Sequence, residues 1–190
     1  MEDRTAIKKE VVDEPILSGE TISLEGLTAK HVSQCYVDWL NDKEVCKDNV
    51  WEKNDNTIEK VSKYVGSVDR SDTDAVFAII TKDGSRHVGN IGLSISWENN
   101  SGEISILIGE KSAWGKGIGG EAYKLVIGYA FKVIGLHRVY SKIIARNKAM
   151  IKVAEKAGMF FEGVAKGAYY KDGEYLDIVK YGMLNPKDKK

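Results

Sequence analysis

The sequence predicts a single α/β domain with a mixed sheet. Three observations support this class: two Asp-Gly turns between apolar runs, a central strand–loop–helix–strand unit, and the absence of proline between Pro15 and Pro186. Because proline interrupts helices and interior strands, we expect one uninterrupted domain over residues 16–185. The segments 1–15 and 186–190 are predicted to be flexible tails. A chain of 190 residues has the length of one ordinary domain.

Three turns separate the strands, at Asp83-Gly84, at 99–102 and at Asp172-Gly173. Asp-Gly favours the positive φ angles of tight hairpin turns. The strands that flank each of the two Asp-Gly turns are therefore predicted to be antiparallel. The apolar runs that the three turns join lie at 75–81, 87–96, 103–108, 161–170 and 175–184.

Two helices are expected before the first hairpin. Thr28 is a suitable N-cap for a helix that ends near Leu40, and a second helix is predicted over 57–65. After Gly117, apolar side chains recur every three or four residues, which predicts a long amphipathic helix that tolerates Gly128 in its interior.

The C-terminal half continues with a strand at 138–144 and a helix at 148–157 that stops at Gly158. The element order is therefore β-α-α-β-β-β-α-β-α-β-β. Its central β-α-β unit, residues 103–144, is expected to be a right-handed crossover between parallel strands.

Composition excludes several classes of function. Lysine plus arginine and aspartate plus glutamate both number 28, and this neutral balance argues against a nucleic-acid binder. The only cysteines, Cys35 and Cys46, are too few for a disulfide scaffold, and His31, His87 and His137 lack a metal-ligand spacing. With no apolar run near ~18 residues and no signal peptide, we expect a cytoplasmic protein without membrane contact or bound metal.

A glycine loop marks the start of the long helix. It contains Gly115, Lys116, Gly117, Gly119 and Gly120. Glycines allow close backbone approach, and free amides at a helix N-terminus attract anions, so a phosphate or pyrophosphate is the expected ligand. The pattern G-x-G-x-x-G is present, but the next strand lacks the acidic residue of dinucleotide sites, and no Ser or Thr follows Lys116 as in a P-loop. The loop alone leaves open a turn that binds nothing.

The segments W-G-K-G-I-G-G-E-A and R-V-Y-S-K-I-I-A-R-N-K-A-M-I-K-V-A-E-K-A-G, with the helix between them, resemble the GNAT superfamily of acetyl-CoA-dependent N-acetyltransferases. The ribosomal-protein N-acetyltransferase-like branch is the most similar, and the resemblance covers residues 17–184. It implies a mostly antiparallel sheet with flanking helices and a central parallel strand pair that splays apart. It also implies acetyl-CoA as co-substrate.

The resemblance further implies which residues contact the cofactor. In the family, the glycine loop wraps the pyrophosphate with backbone amides, and the pantetheine arm pairs with the strand before the loop. Asn147 matches the family's asparagine beside the cofactor. The implied cofactor contacts are Ile106, Leu107, Ile108, Trp114, Gly115, Lys116, Gly117, Ile118, Gly119, Gly120 and Asn147.

Glu103 is the expected catalytic base, because a family glutamate at the start of the cofactor strand often takes the amine proton, directly or through water. The alternative is a solvated acid at a strand end, and Glu98 is the fallback base. Met150 stands where this branch often has a serine that protonates the leaving thiolate. The general acid is therefore unassigned, with Tyr169 and Tyr170 as candidates, although a tyrosine in a β-run more often serves core packing.

The acceptor is expected to meet the segment 38–59, which carries seven acids and three lysines. This stretch either steers a cationic amine or is a solvated surface. Trp39 and Trp51 are candidate acceptor-binding residues that could instead anchor the helices. The string Y-V-D-W-L-N-D-K-E-V resembles GNAT members of surface-polysaccharide and amino-sugar pathways.

We therefore expect a small-molecule amine acceptor, in particular an amino sugar. Protein N-termini, polyamines and aminoglycosides are the alternative acceptors, and a catalytically silent CoA-binding module is the non-enzyme alternative. The expected oligomeric state is a monomer or a homodimer, with the strand at 175–184 as a possible pairing element.

Overall fold

The computed structural model describes residues 17–49 and 55–188. The eight strands are β1 (Leu17–Ser18), β2 (Ile22–Gly26), β3 (Asp74–Thr81), β4 (Arg86–Ser96), β5 (Ser101–Ile108), β6 (Arg138–Ile144), β7 (Phe160–Lys171) and β8 (Glu174–Leu184). The five α-helices are α1 (Gln34–Asn41), α2 (Lys43–Cys46), α3 (Ile58–Asp69), α4 (Ile118–Tyr129) and α5 (Lys148–Lys156). The predicted tail at 1–15 and the residue Trp51 lie outside the described residues.

All eight strands form one sheet in the order β1-β2-β3-β4-β5-β6-β8-β7. Every neighbouring pair is antiparallel except β5 and β6, which are parallel over three residue pairs that end at Glu103 and Tyr140. This arrangement confirms the predicted mixed sheet with one central parallel pair. It also places the end of that pairing at the residue proposed as catalytic base.

Side chains alternate between the two faces of the sheet, and each face has its own core. On one face, Leu93 and Ile104 belong to a large buried cluster that includes Tyr123 and Val126 of α4. On the other face, Ala78 packs in a second cluster with residues of α1 and α3. No described helix has the length and apolarity needed to cross a membrane.

The first predicted helix begins later than expected. Thr28 caps only a short 3-10 turn, Ala29–His31, and α1 starts after Ser33, whose hydroxyl accepts a 3.2 Å hydrogen bond from the backbone N–H of Tyr36. The segment contains two good cap residues, and the second one begins the α-helix. The second predicted helix is confirmed, with Thr57 as the N-cap of α3.

The two Asp-Gly turns differ in their backbone angles. Asp172 and Gly173 have φ angles of 50° and 87°, as expected for a tight hairpin between β7 and β8. In the hairpin between β3 and β4, the positive φ of 49° falls on Ser85 rather than on the Asp83-Gly84 pair. The loop there is four residues long, so the reversal does not need the two-residue turn that the sequence predicts.

The last described residues are held against the domain. Pro186–Asp188 form a 3-10 turn, and the Asp188 carboxylate lies 2.8 Å from Nδ1 of His137. The buried Asn185 side chain donates a 2.9 Å hydrogen bond to the Leu136 carbonyl. The described part of the segment predicted as a C-terminal tail is therefore an ordered turn.

Candidate active site

A cleft of about 1910 Å³ opens where β5 and β6 separate. One part of its wall is formed by β5, the glycine loop and the beginnings of α4 and α5. The opposite part is formed by residues of α1, α2 and α3 and by β3 and β4. The predicted cofactor residues other than Lys116, and several residues of the predicted acceptor segment, therefore face one continuous space.

The separation of β5 and β6 begins immediately after Glu103. The next carbonyl on β5, that of Ile104, accepts a 2.9 Å hydrogen bond from the Ser141 hydroxyl instead of a β6 backbone amide. Tyr123 Oη lies 3.2 Å from the same hydroxyl. Both side chains are 1% exposed, and burial raises the pKa of Tyr123 to about 12. Two buried hydroxyl groups thus replace the backbone hydrogen bonds that would otherwise continue between β5 and β6.

A second side chain bonds to β5 at its other end. The indole Nε1 of Trp114 donates a 2.8 Å hydrogen bond to the Ile108 carbonyl. Trp114 is 39% exposed and lines the cleft beside the glycine loop. Sequence reasoning expected a cofactor contact at this position, but not this bond to the strand.

The backbone of the glycine loop is open to close approach by a ligand. Gly115 and Gly117 have φ angles of 73° and 83°, and a Cβ atom added at either position would meet no other atom within 4 Å. The first helical bond of α4 runs from the Glu121 amide to the Gly117 carbonyl, so the preceding amides have no helical acceptor. The Glu121 carboxylate is bound by the amide and hydroxyl of Thr21. The loop therefore presents open space and amide donors to an anion.

Several lysines line the cleft beside this loop, but the lysine predicted to contact the cofactor is not among them. Lys116 is exposed and does not line the cleft, whereas Lys124 of α4 and both Lys152 and Lys156 of α5 do. Lys152 and Lys156 are four residues apart and share one helix face. This K-x-x-x-K spacing within α5 was the available sequence signal for the positive wall.

Asn147 lines the cleft and caps α5. Its side-chain oxygen accepts a 3.1 Å hydrogen bond from the Met150 amide, so the residue fixes the start of the helix. Met150 also lines the cleft, and its side chain packs against the large core. Tyr169 and Tyr170, proposed as alternative acids, do not line the cleft.

Glu103 lies at the end of the parallel pairing and carries an ion pair. The Lys142 ammonium donates a 2.7 Å hydrogen bond to the Glu103 carboxylate, and this contact raises the pKa of Lys142. Among the described residues, Lys142 lines the cleft and Glu103 does not. The predicted base is therefore paired with a lysine that lines the cleft, while the base itself does not line it.

Trp39 is placed in the core rather than in the cleft. Its side chain is 6% exposed, and the indole packs so closely on Gly109 that a Cβ atom there would lie 2.1 Å from the ring. The ring also contacts His87 with centroids 5.1 Å apart. Trp39 anchors α1 to the sheet, so an acceptor cannot stack on it without displacing this packing.

Ion pairs neutralise much of the acidic segment. Lys111 contacts both Asp42 and Glu44, Arg146 contacts Asp48, and Lys60 contacts Asp55. The hydrogen bond with Lys111 is the main cause that lowers the pKa of Asp42. A set of paired carboxylates attracts a distant cation more weakly than seven isolated charges would.

Hydroxyl groups line the acceptor side of the cleft. Tyr64, Ser67 and Ser71 of the region from α3 to β3 face it together with Asp74 and Ser94. Asp74 accepts 2.7 Å hydrogen bonds from the hydroxyls of Ser71 and Ser94. The sequence analysis selects none of these five residues, because hydroxyl and acidic residues in the stretch 64–74 and at Ser94 carry no motif that marks them as a site.

The sequence model of a protein family, described as the acetyltransferase (GNAT) domain, matches residues 22–160, which is more than half of the chain. A Bacillus subtilis (strain 168) relative named probable N-acetyltransferase YjcK is 31% identical over 132 residues, 68% of this chain and 72% of the relative.

Solved structures share the fold. A spermidine N-acetyltransferase from Vibrio cholerae, in complex with CoA and spermine, has a TM-score of 0.80 at 18% identity and covers 89% of this chain and 98% of its own. RimL, a ribosomal L7/L12 α-N-protein acetyltransferase in complex with CoA, has a TM-score of 0.81 at 20% identity. The match covers 92% of this chain and 100% of the RimL chain. By this family match and this relative, the chain belongs to the GNAT family of N-acetyltransferases.

Proposed function

We propose that this N-acetyltransferase transfers the acetyl group of acetyl-CoA to the primary amine of a small, hydroxyl-rich acceptor, with an amino sugar as the leading candidate. The observation that carries the proposal is the separation of β5 and β6 directly beside an open glycine loop. The separation leaves an exposed strand side for an extended arm, and the loop leaves amides for phosphates.

The residues present fit acetyl-CoA. The open space at Gly115 and Gly117 admits a phosphate group against the backbone, and Lys124, Lys152 and Lys156 supply positive charge on the same side. The structural neighbours in complex with CoA support this assignment. When bound, acetyl-CoA supplies a thioester whose carbonyl carbon accepts the amine.

Glu103 is proposed to accept the proton that the amine loses. The amine nitrogen attacks the thioester carbon, the C–S bond breaks, and CoA leaves as a thiolate. Because Glu103 pairs with Lys142 and does not itself line the cleft, a water molecule is the more suitable carrier of the proton to Glu103. No described residue is assigned to protonate the thiolate, which is a tolerable leaving group because thiols have a pKa of ~8.5.

The character of the cleft favours an acceptor with hydroxyl groups. The Tyr64 phenol is a group of the kind that pairs with sugar hydroxyls, whereas the Ser67 and Ser71 hydroxyls already donate to the Tyr64 carbonyl and to Asp74 and add only acceptor capacity. The acids of α2 and the segments around it are engaged in ion pairs, which weakens the case for a polycationic acceptor. A polyamine and a protein N-terminus remain the alternatives, since the neighbours named above act on those classes.

The test is release of free thiol from acetyl-CoA with a panel of UDP-linked 4-amino sugars, peptides with free N-termini, spermidine and kanamycin. Strong turnover with an amino sugar alone supports the proposal. Strong turnover with spermidine or a peptide instead contradicts the amino sugar and identifies the acceptor as a polyamine or a protein N-terminus. Calorimetric binding of acetyl-CoA with no turnover across the panel favours the silent CoA-binding module. Absence of any binding contradicts both.

A further inference from the structure

The side chains of Ser141 and Trp114 occupy two carbonyls of the same strand. Ser141 bonds to the Ile104 carbonyl at 2.9 Å, and Trp114 bonds to the Ile108 carbonyl at 2.8 Å. The two acceptors are four residues apart on β5, with Ile106 midway between them.

Alternate residues of a strand direct their backbone groups to the same side. The bond to Ser141 of β6 shows that the Ile104 backbone faces β6, so the backbone groups of Ile106 and Ile108 face that side as well. Beyond Tyr140, β6 no longer pairs with β5, and this side of β5 is open to the cleft. In the part of the chain that the structure describes, no side chain bonds to the Ile106 carbonyl.

We propose that Ser141 and Trp114 are positioning residues that set the register of the cofactor arm on β5. By occupying the carbonyls of Ile104 and Ile108, they leave the Ile106 carbonyl as the acceptor on this side of β5 for the N–H groups of the arm. An extended chain that slipped by two residues in either direction would meet an acceptor that is already engaged. The thioester is thereby held at one distance from Glu103. The inference rests on the proposed function, in which β5 holds the arm.

Burial makes the Ser141 end rigid. Ser141 and Tyr123 are each 1% exposed, and their hydroxyls contact one another at 3.2 Å, so the Ile104 carbonyl cannot be satisfied by water. Trp114 is exposed, so a substitution at this position leaves the buried core in place. Trp97 is a matched control. Its indole Nε1 also donates to a backbone carbonyl, that of Asp72 at 2.9 Å, but Trp97 does not line the cleft.

The experiment follows the carbonyl resonance of acetyl-CoA labelled with ¹³C at the thioester carbon. It is recorded on the full chain and on Trp114→Phe, Ser141→Ala and Trp97→Phe. Because the signal belongs to the bound molecule, it does not depend on the acceptor or on the fraction of folded protein. Calorimetry on the same preparations gives the affinity for acetyl-CoA.

The bound resonance is expected to move toward its free value or to broaden in Trp114→Phe and Ser141→Ala, while it stays at the parent position in Trp97→Phe. The affinity is expected to change by no more than about fivefold, since one hydrogen bond contributes about 1 kcal/mol. An unchanged bound resonance in Trp114→Phe overturns the inference, even if Ser141→Ala does not fold. Failure of the parent to bind acetyl-CoA overturns the proposed function itself, which is a distinct outcome.

Discussion

The Arg146 guanidinium forms an ion pair with the Asp48 carboxylate across the cleft, with Nε 2.8 Å from Oδ1. Arg146 directly precedes the cap of α5, and Asp48 follows α2 on the acceptor side. Arg146 also donates to the Lys47 carbonyl and contacts Glu174 at the beginning of β8. One side chain therefore joins the cofactor side of the cleft to the acceptor side.

Asp48→Asn should loosen the acceptor side. The substitution removes the charge that holds Arg146 while leaving Glu174 as its partner, so the arginine remains neutralised. Because partly exposed pairs contribute less than ~1 kcal/mol, amide hydrogen exchange in 43–49 should accelerate by about fivefold or less. Asp55→Asn breaks the exposed pair with Lys60 on the same side and serves as the control. Equal exchange in parent and Asp48→Asn would show that the ion pair does not hold the segment.

Gly117→Asp should abolish acetyl-CoA binding. A carboxylate in the glycine loop occupies the space proposed for phosphate and repels it. Gly135 is the matched position, because its φ of 78° is close to the 83° of Gly117 and its added Cβ would also meet nothing within 4 Å. Both aspartates should lower the melting temperature to a similar extent, since each places a side chain at positive φ. Calorimetry should find affinity only in Gly135→Asp, and retained affinity in Gly117→Asp would move the phosphate site elsewhere.

Lys152→Gln should weaken acetyl-CoA binding in a salt-dependent manner. The residue lines the cleft from α5, where its charge can attract a phosphate. We expect a loss of about two- to fivefold at low ionic strength that shrinks at 0.5 M salt, since surface charges are screened there. Lys132→Gln removes an exposed lysine that does not line the cleft. Titration calorimetry at two salt concentrations checks the result, and an equal loss in both variants would assign the effect to net charge.

Contiguous parts of the site were predictable from the sequence. The glycine loop, the helix after it and the cap residue Asn147 lie within local motifs, and their chemistry follows from neighbouring residues. The strand at 138–144 was placed correctly because its β-branched run is bounded by clear helix signals on both sides. The parallel pair followed from the β-α-β order.

The remaining features depend on contacts between distant segments. Ser141 and Ile104 meet only once β6 lies beside β5, and the ion pair between Lys142 and Glu103 arises from the same pairing. Trp39 looked like an acceptor residue because its burial depends on Gly109, which is 70 positions away along the chain. Hydrophobic spacing indicates that a face is buried, but it does not identify the partner.

Glu103→Gln should preserve acetyl-CoA binding and reduce turnover by on the order of 10², because it removes the proposed proton acceptor. The loss should be largest with lysine-like amines, for which neutralisation at pH 7 costs roughly 4–5 kcal/mol. Glu162→Gln is the control, since it breaks a comparable carboxylate pair with Arg138 outside the cleft. Steady-state rates between pH 6 and 9 check the effect. Equal turnover by Glu103→Gln and the parent over this range would remove Glu103 from the mechanism.

Acid should destabilise the fold through His31 and His87, whose rings pack 5.5 Å apart beneath α1. Burial is the main cause that lowers both pKa values, and the charges of His87 and then Lys30 lower the pKa of His31 further, although Glu25 opposes them. The unfolded chain takes up these protons near pH ~6.5, whereas the folded chain resists them. The stabilisation is therefore present above pH ~6.5 and decreases below it, by up to about 1.4 kcal/mol per pH unit for each ring. The melting temperature should fall from pH 7 to pH 5, and His87→Gln should reduce that slope. A slope that His87→Gln leaves unchanged would assign the acid sensitivity to carboxylates instead.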